Sequence, residues 1–99
     1  MSFVTTQPEI LTIAAGNLQA IGFAMAAQNA GAAGPTTGVI PAAADEVSVL
    51  TAAQFAMHAA MYQAVSAQAA TVHDMFVSTL STSAVSYAAT EAANAIATS

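Results

Sequence analysis

The sequence predicts an all-α fold, an antiparallel hairpin of two helices, and three observations carry that reading. Apolar residues recur at steps of three and four through the first part of the chain. Glycine and proline then crowd the stretch "NAGAAGPTTGVIP". From Val47 to Leu80 the chain holds neither, which leaves room for one uninterrupted helical rod of roughly 50 Å.

The first element is announced by "TTQPEI". Pro8 suits the first turn of a helix, where its missing N–H costs nothing. Thr6 and Glu9 stand at capping-box spacing, and Glu9 complements the positive end of the helix dipole. Leu11, Ala14, Leu18, Ile21 and Met25 continue as a helical seam. These signals divide the chain, read as one domain over 1–99, into an N-terminal segment 1–7, helix one over 8–33 and a turn over 34–42. Helix two follows over 43–82, with Pro41 ahead of it and Asp45 and Glu46 near its positive end. Past Leu80, "STSAVS" is rich in residues that compete with the helical backbone, so 83–99 is predicted as a flexible tail.

Helix two carries two apolar stripes. Phe55, Tyr62, Val65, Val72 and Phe76 follow one register, and Val47, Leu50, Met57, Met61 and Met75 follow another. A helix in a two-helix hairpin buries one stripe against its neighbour. The other stripe is larger than soluble monomers usually expose. The hairpin is therefore expected to sit in a four-helix bundle, completed by a copy of itself or by another protein. Alanine, half of the 57% apolar residues, lets helices approach closely along a long contact.

Composition removes several function classes. The chain has no Lys or Arg against five carboxylates, Glu9, Asp45, Glu46, Asp74 and Glu91, so it cannot neutralise nucleic-acid phosphates or anionic lipid headgroups. Without Cys, neither disulfides nor thiolate metal sites are available. No stretch is read as a transmembrane helix, and "MSFVTTQPEI" lacks the cation of a general-secretion signal. The N-terminus thus reads as cytosolic, or as belonging to a chain exported by a route that recognises something else.

Chemistry-bearing residues are few. His58 and His73 stand 15 residues apart, about 22 Å on one helix, too far to share a metal. His58 falls between Phe55 and Tyr62 and reads as an interface or core histidine. His73 beside Asp74 reads as an ion pair or a solvated face. No serine or threonine has the setting of a nucleophile, and no phosphate loop is present. A two-helix rod offers nowhere to exclude water around a reaction, so no enzyme and no cofactor is expected. In the tail, Tyr87 and Glu91 stand one helical turn apart.

Taken together, "SFVTTQPEI", "AAQNAGAAGPTTGVIPAAADEVS", "FAMHAAMYQAVSAQAATVHDMFVSTL" and "SYAATEAANA" resemble the mycobacterial PE family across essentially the whole chain. That family is named for a Pro-Glu pair, here Pro8–Glu9. The resemblance implies a heterodimer with a PPE-family protein, joined as a four-helix bundle through a long apolar interface; Leu11, Leu18, Ile21, Phe55, Tyr62, Val65, Val72 and Phe76 are the residues expected there. It implies export as a folded pair by a type VII (ESX) system, after synthesis in the cytosol, to the outside or the cell envelope. The C-terminal signal of such proteins, Tyr, three residues, then Asp or Glu, maps onto Tyr87 and Glu91 and would be read by the secretion ATPase. An EspG-type chaperone would be met only through the PPE partner. Two other readings stay open: an envelope component aiding solute uptake or altering host responses, and a self-associating helical homodimer.

Overall fold

The computed structural model describes residues 5–99. Among the described residues the structure is all-α, with two helices, α1 (Pro8–Thr37) and α2 (Glu46–Ala97), joined by a turn. They form two compact units. One unit, Phe23–Val72, is a hairpin made from the end of α1, the turn and the first half of α2. The other pairs the start of α1 with the second half of α2. The two strands of helix run antiparallel there, because Thr6 meets Glu91 while Leu18 meets His73.

The starts of both helices follow from local chemistry. Pro8 opens α1 as predicted, but Thr6 does not form a capping box with Glu9. Its hydroxyl and N–H instead both donate to Glu91 Oε1, at 3.0 Å each. α2 begins at Glu46 rather than at 43, because Asp45 is its cap. Ser48 Oγ donates to Asp45 Oδ1 at 2.7 Å and the Ser48 N–H to Oδ2 at 3.1 Å. The Ser48 hydroxyl first, and its N–H second, hold the Asp45 carboxyl below its usual 3.8. Stability from this cap is therefore present above that value and is lost as pH falls through the lower folded one.

The helix ends correct three expectations. Helix one runs to Thr37 rather than 33, past Pro35. Pro35 lies in the last turn, where one missing N–H removes only one bond. Thr36 and Thr37 hydroxyls close back on the Ala32 and Ala33 carbonyls, and the Gly38 N–H reaches Gly34 O at 3.0 Å. The turn accordingly lies over 38–45 instead of 34–42. The predicted flexible tail is helix: α2 continues through Ala97. No Gly or Pro follows Pro41, and further along the Thr90 and Thr98 hydroxyls bond back to carbonyls one turn earlier, to Ser86 O at 3.0 Å and Asn94 O at 2.9 Å. The segment is also packed, with Ala84 buried and Glu91 held by Thr6.

Large apolar residues do not build the cores. Among the described residues the buried ones are Ala52 and Ala59 in the hairpin unit, and Ala15 and Ala84 in the other. In the hairpin, Gln63 Nε2 donates to the Asn29 carbonyl at 2.9 Å and the Tyr62 hydroxyl to Asn29 Oδ1 at 2.8 Å. In the other unit, His73 Nε2 lies 2.6 Å from Leu18 O. A carbonyl only accepts, so Nε2 carries the proton. The ring fills the space opposite Gly22, where a Cβ would stand 2.8 Å from two ring atoms. His73 is therefore a seam residue bound to backbone, not one member of an Asp74 ion pair.

By length and composition α1 is apolar enough to cross a membrane. Alanine together with Ile, Leu and Phe gives it that composition, although it also holds Thr12, Asn17, Gln19, Gln28 and Asn29.

The Gly22–His73 fit predicts a non-additive pair. Gly22→Ala alone displaces the ring from Leu18 O, and the lost bond, about 1 kcal/mol, offsets the gain of about 1 kcal/mol from removing a mid-helix glycine. In a His73→Ala background the same substitution stabilises by about that gain. Thermal melts of the four proteins at micromolar concentration, followed by helical circular dichroism, test the cycle; equal effects in both backgrounds contradict the fit.

Candidate partner interface

The inner seam of α2 is read from its less exposed positions. In the hairpin unit these are Ser48, Ala52, Ala56, Ala59, Gln63 and Ser66. In the other unit they are His73, Val77, Leu80, Ser83, Ala84 and Glu91. From Ala52 onward, all but Ser83 fall on one heptad register with alternating steps of four and three. Most are small or polar. On α1, Pro8, Leu11, Ala15, Leu18 and Gly22 make the matching seam.

A second register on α2 runs one residue ahead of the inner seam and stands open. It runs Phe55, His58, Tyr62, Val65, Ala69, Val72 and Phe76, again in heptad steps. Phe55 is 62% exposed and Phe76 54%, and Tyr62, Val65 and Val72 are likewise exposed. Val47, Leu50, Met57, Met61 and Met75 are exposed too. Neither apolar stripe is therefore buried within the chain, where one was expected to be. The reason is geometric: α1 is approached by a third, small-residue stripe, and the large side chains are left facing outward.

On α1 the predicted interface set divides. Leu11 and Leu18 turn into the chain's own seam, half-buried, whereas Ile21 is exposed. Ile10, Ile13, Phe23 and Met25 are exposed as well. Apolar residues surround both helices instead of gathering on one face. Helices of that kind are normally covered on several sides.

In the hairpin unit, Phe55, His58 and Tyr62 form one wall of a recess of about 430 Å³, with Pro35, Thr36 and Val39 opposite. His58 thus lines an apolar surface. Beyond Phe76 the open register changes chemistry. Thr79, Ser83, Ser86 and Thr90 continue it and, with Tyr87, line a shallow groove of about 480 Å³. No group of His, Asp or Glu suited to a metal ion occurs among the described residues.

Tyr87 and Glu91 sit on the inner register, at seam positions near the end of α2. Tyr87 remains 47% exposed, while Glu91 is half-buried and bonded to Thr6. The pair is accessible on one member and engaged on the other. Sequence reasoning missed the inner seam, although its heptad of Ala52, Ala56, Ala59, Gln63 and Ser66 is visible once small residues are counted with large ones.

These features define a helix-pair protein with an unpartnered apolar coiled-coil face and an ordered, tyrosine-bearing C-terminal helix. The PE family matches residues 4–94, and the chain belongs to that family. It is 67% identical over its full length, and over all of the relative, to PE family protein PE13 of Mycobacterium tuberculosis. It is 58% identical over 94 residues to PE family protein PE8 of the same organism, covering 95% of this chain and 34% of that one. PE-PGRS family protein PE_PGRS33 of the same organism is 56% identical over 95 residues, 96% of this chain and 19% of that relative. The chain thus spans the whole of the first relative but about a third and a fifth of the others.

Phe55→Ser with Phe76→Ser should leave the helical circular-dichroism signal of the isolated chain unchanged and reduce its light scattering. Loss of helicity would mean that these rings hold the chain's own fold.

Proposed function

We propose that the chain is a secreted, non-enzymatic binding module whose open face on α2 docks a PPE-family protein. The observation that carries this reading is the exposed stripe Phe55, Tyr62, Val65, Val72 and Phe76, set beside an inner seam already closed by alanine. Its heptad spacing suits knobs-into-holes packing against another helix, and the bundle of four helices follows from adding a second helix pair. Burial of one such large side chain is worth about 1.5–3 kcal/mol. Ile21 and the other exposed α1 residues extend the apolar surface available to the partner. The partner must tolerate a chain that has five carboxylates and no cation, so its contact surface is expected to be apolar or basic, not acidic.

Tyr87 and Glu91 are proposed as the type VII signal presented to the secretion ATPase. What supports this is family membership together with the exposed ring of Tyr87. No site for an EspG-type chaperone is assigned to this chain, and contact with it would pass through the PPE partner. A second reading, an envelope-associated PE/PPE component, is favoured by one observation, the length and apolar character of α1. Retention in the envelope fraction and a solute-uptake defect on deletion would select it over simple release.

Alone, the chain should self-associate or aggregate at purification concentrations, and a PPE chain should co-purify with it from the native cell. Phe76→Ala should weaken that complex by about tenfold or more. Tyr87→Ala should abolish export and leave the complex intact. A monodisperse monomer with a cooperative melt, and no co-purifying chain, would contradict the docking reading; unchanged export of Tyr87→Ala would contradict the signal reading.

A further inference from the structure

Glu91 is a half-buried carboxylate in a chain with no Lys or Arg to pair with it. A buried charge without a cation needs hydrogen-bond donors. It finds two on one residue 85 positions away: the Thr6 N–H and the Thr6 hydroxyl, both donating to Oε1 at 3.0 Å. Thr6 lies two residues before Pro8, where α1 begins and where its dipole is positive. Pro8 has no N–H to offer, so the donors at this end are few. Glu91 therefore fastens the last turns of α2 to the residues just ahead of α1.

Tyr87 stands one turn earlier on the same register, 47% exposed, beside Ser83, Ser86 and Thr90. An approaching receptor finds the ring free and Glu91 Oε1 already occupied. We propose that Thr6 is a positioning residue of the export signal. Glu91 serves the signal by binding Thr6, and the ring of Tyr87, held on an ordered helix, is what the receptor reads. The signal is then a folded feature built from both ends of the chain, not a linear peptide. This inference rests on the proposed role of Tyr87 and Glu91 in export.

The test is export of the full chain from its native cell, with its own partner present, for Tyr87→Ala and for variants of residues 6 and 91. Glu91→Gln keeps the acceptor oxygen and removes the charge, so export should be retained; Glu91→Ala should lose it. Thr6→Pro removes both donors and should lower export at least tenfold with Tyr87 and Glu91 intact, while Thr6→Ser exports normally. Should Thr6→Pro fail to assemble with the partner, Thr6→Val against Thr6→Ser makes the same comparison, with at least a threefold loss expected for Val. Hydrogen exchange at the Thr6 amide should be slow in the wild type and Glu91→Gln and fast in Glu91→Ala. Normal export of Thr6→Pro or Thr6→Val, or loss of export in Glu91→Gln with the Thr6 amide still protected, overturns the positioning role and makes the carboxylate itself the feature read. Normal export of both Tyr87→Ala and Glu91→Ala instead removes the signal reading on which the inference stands.

Discussion

Close contact between α1 and α2 through small side chains is the constraint on which the rest of this structure depends. In the hairpin unit the contact is made by Ala52 and Ala59, and in the other by Ala15 and Ala84. Small residues let two helical backbones approach without interdigitating bulk. They also remove little apolar area from water, and burial of such area is the main favourable term in folding. Glycine serves the same end at one position. Gly22 leaves the room that the His73 ring occupies while it bonds Leu18 O. Gln63, His73 and Glu91, polar members of the seam, find partners in their own units, on the Asn29 carbonyl, the Leu18 carbonyl and Thr6.

That economy within the chain sets the chemistry of its surface. Since small residues occupy most of the seam, Phe55, Tyr62 and Phe76 of α2 are displaced outward. The displaced residues are not scattered. Phe55, Tyr62, Val65, Val72 and Phe76 hold a heptad register that a second pair of helices could use. A chain built this way is stable in proportion to what covers it. Its own fold and the binding proposed for it draw on the same apolar surface, with the smaller part inside the chain.

Much of this was legible in the residues. The two helices, the Gly- and Pro-rich connection, the start at Pro8 and the surplus apolar stripe on helix two all follow from periodicity and from helix-terminus chemistry. The expectation that one apolar stripe would close the hairpin failed, because side-chain size does not show which face meets the neighbour. Met61 and Met75 look like core residues by hydropathy, and they face outward. The predicted tail failed for a different reason. Ser and Thr hydroxyls are ambiguous, since they either compete with the helix or bond back to it, and contacts such as Thr6–Glu91 decide the outcome. That contact spans 85 residues, so no local pattern announces it. The spacing of Tyr87 and Glu91 was visible, but not its meaning as the seam step of four residues.

The small-residue register of α2 faces α1, and the large-residue register is proposed to face the partner. The chain has no native cysteine, so thiol labelling of single-cysteine variants tests this directly. Cys introduced by Ala59→Cys should react slowly both in the free chain at low concentration and in the complex purified from the native cell. Cys introduced by Val65→Cys should react rapidly in the free chain and become protected in the complex. Rapid labelling at position 59 in the free chain, or unchanged labelling at position 65 on assembly, would contradict the account.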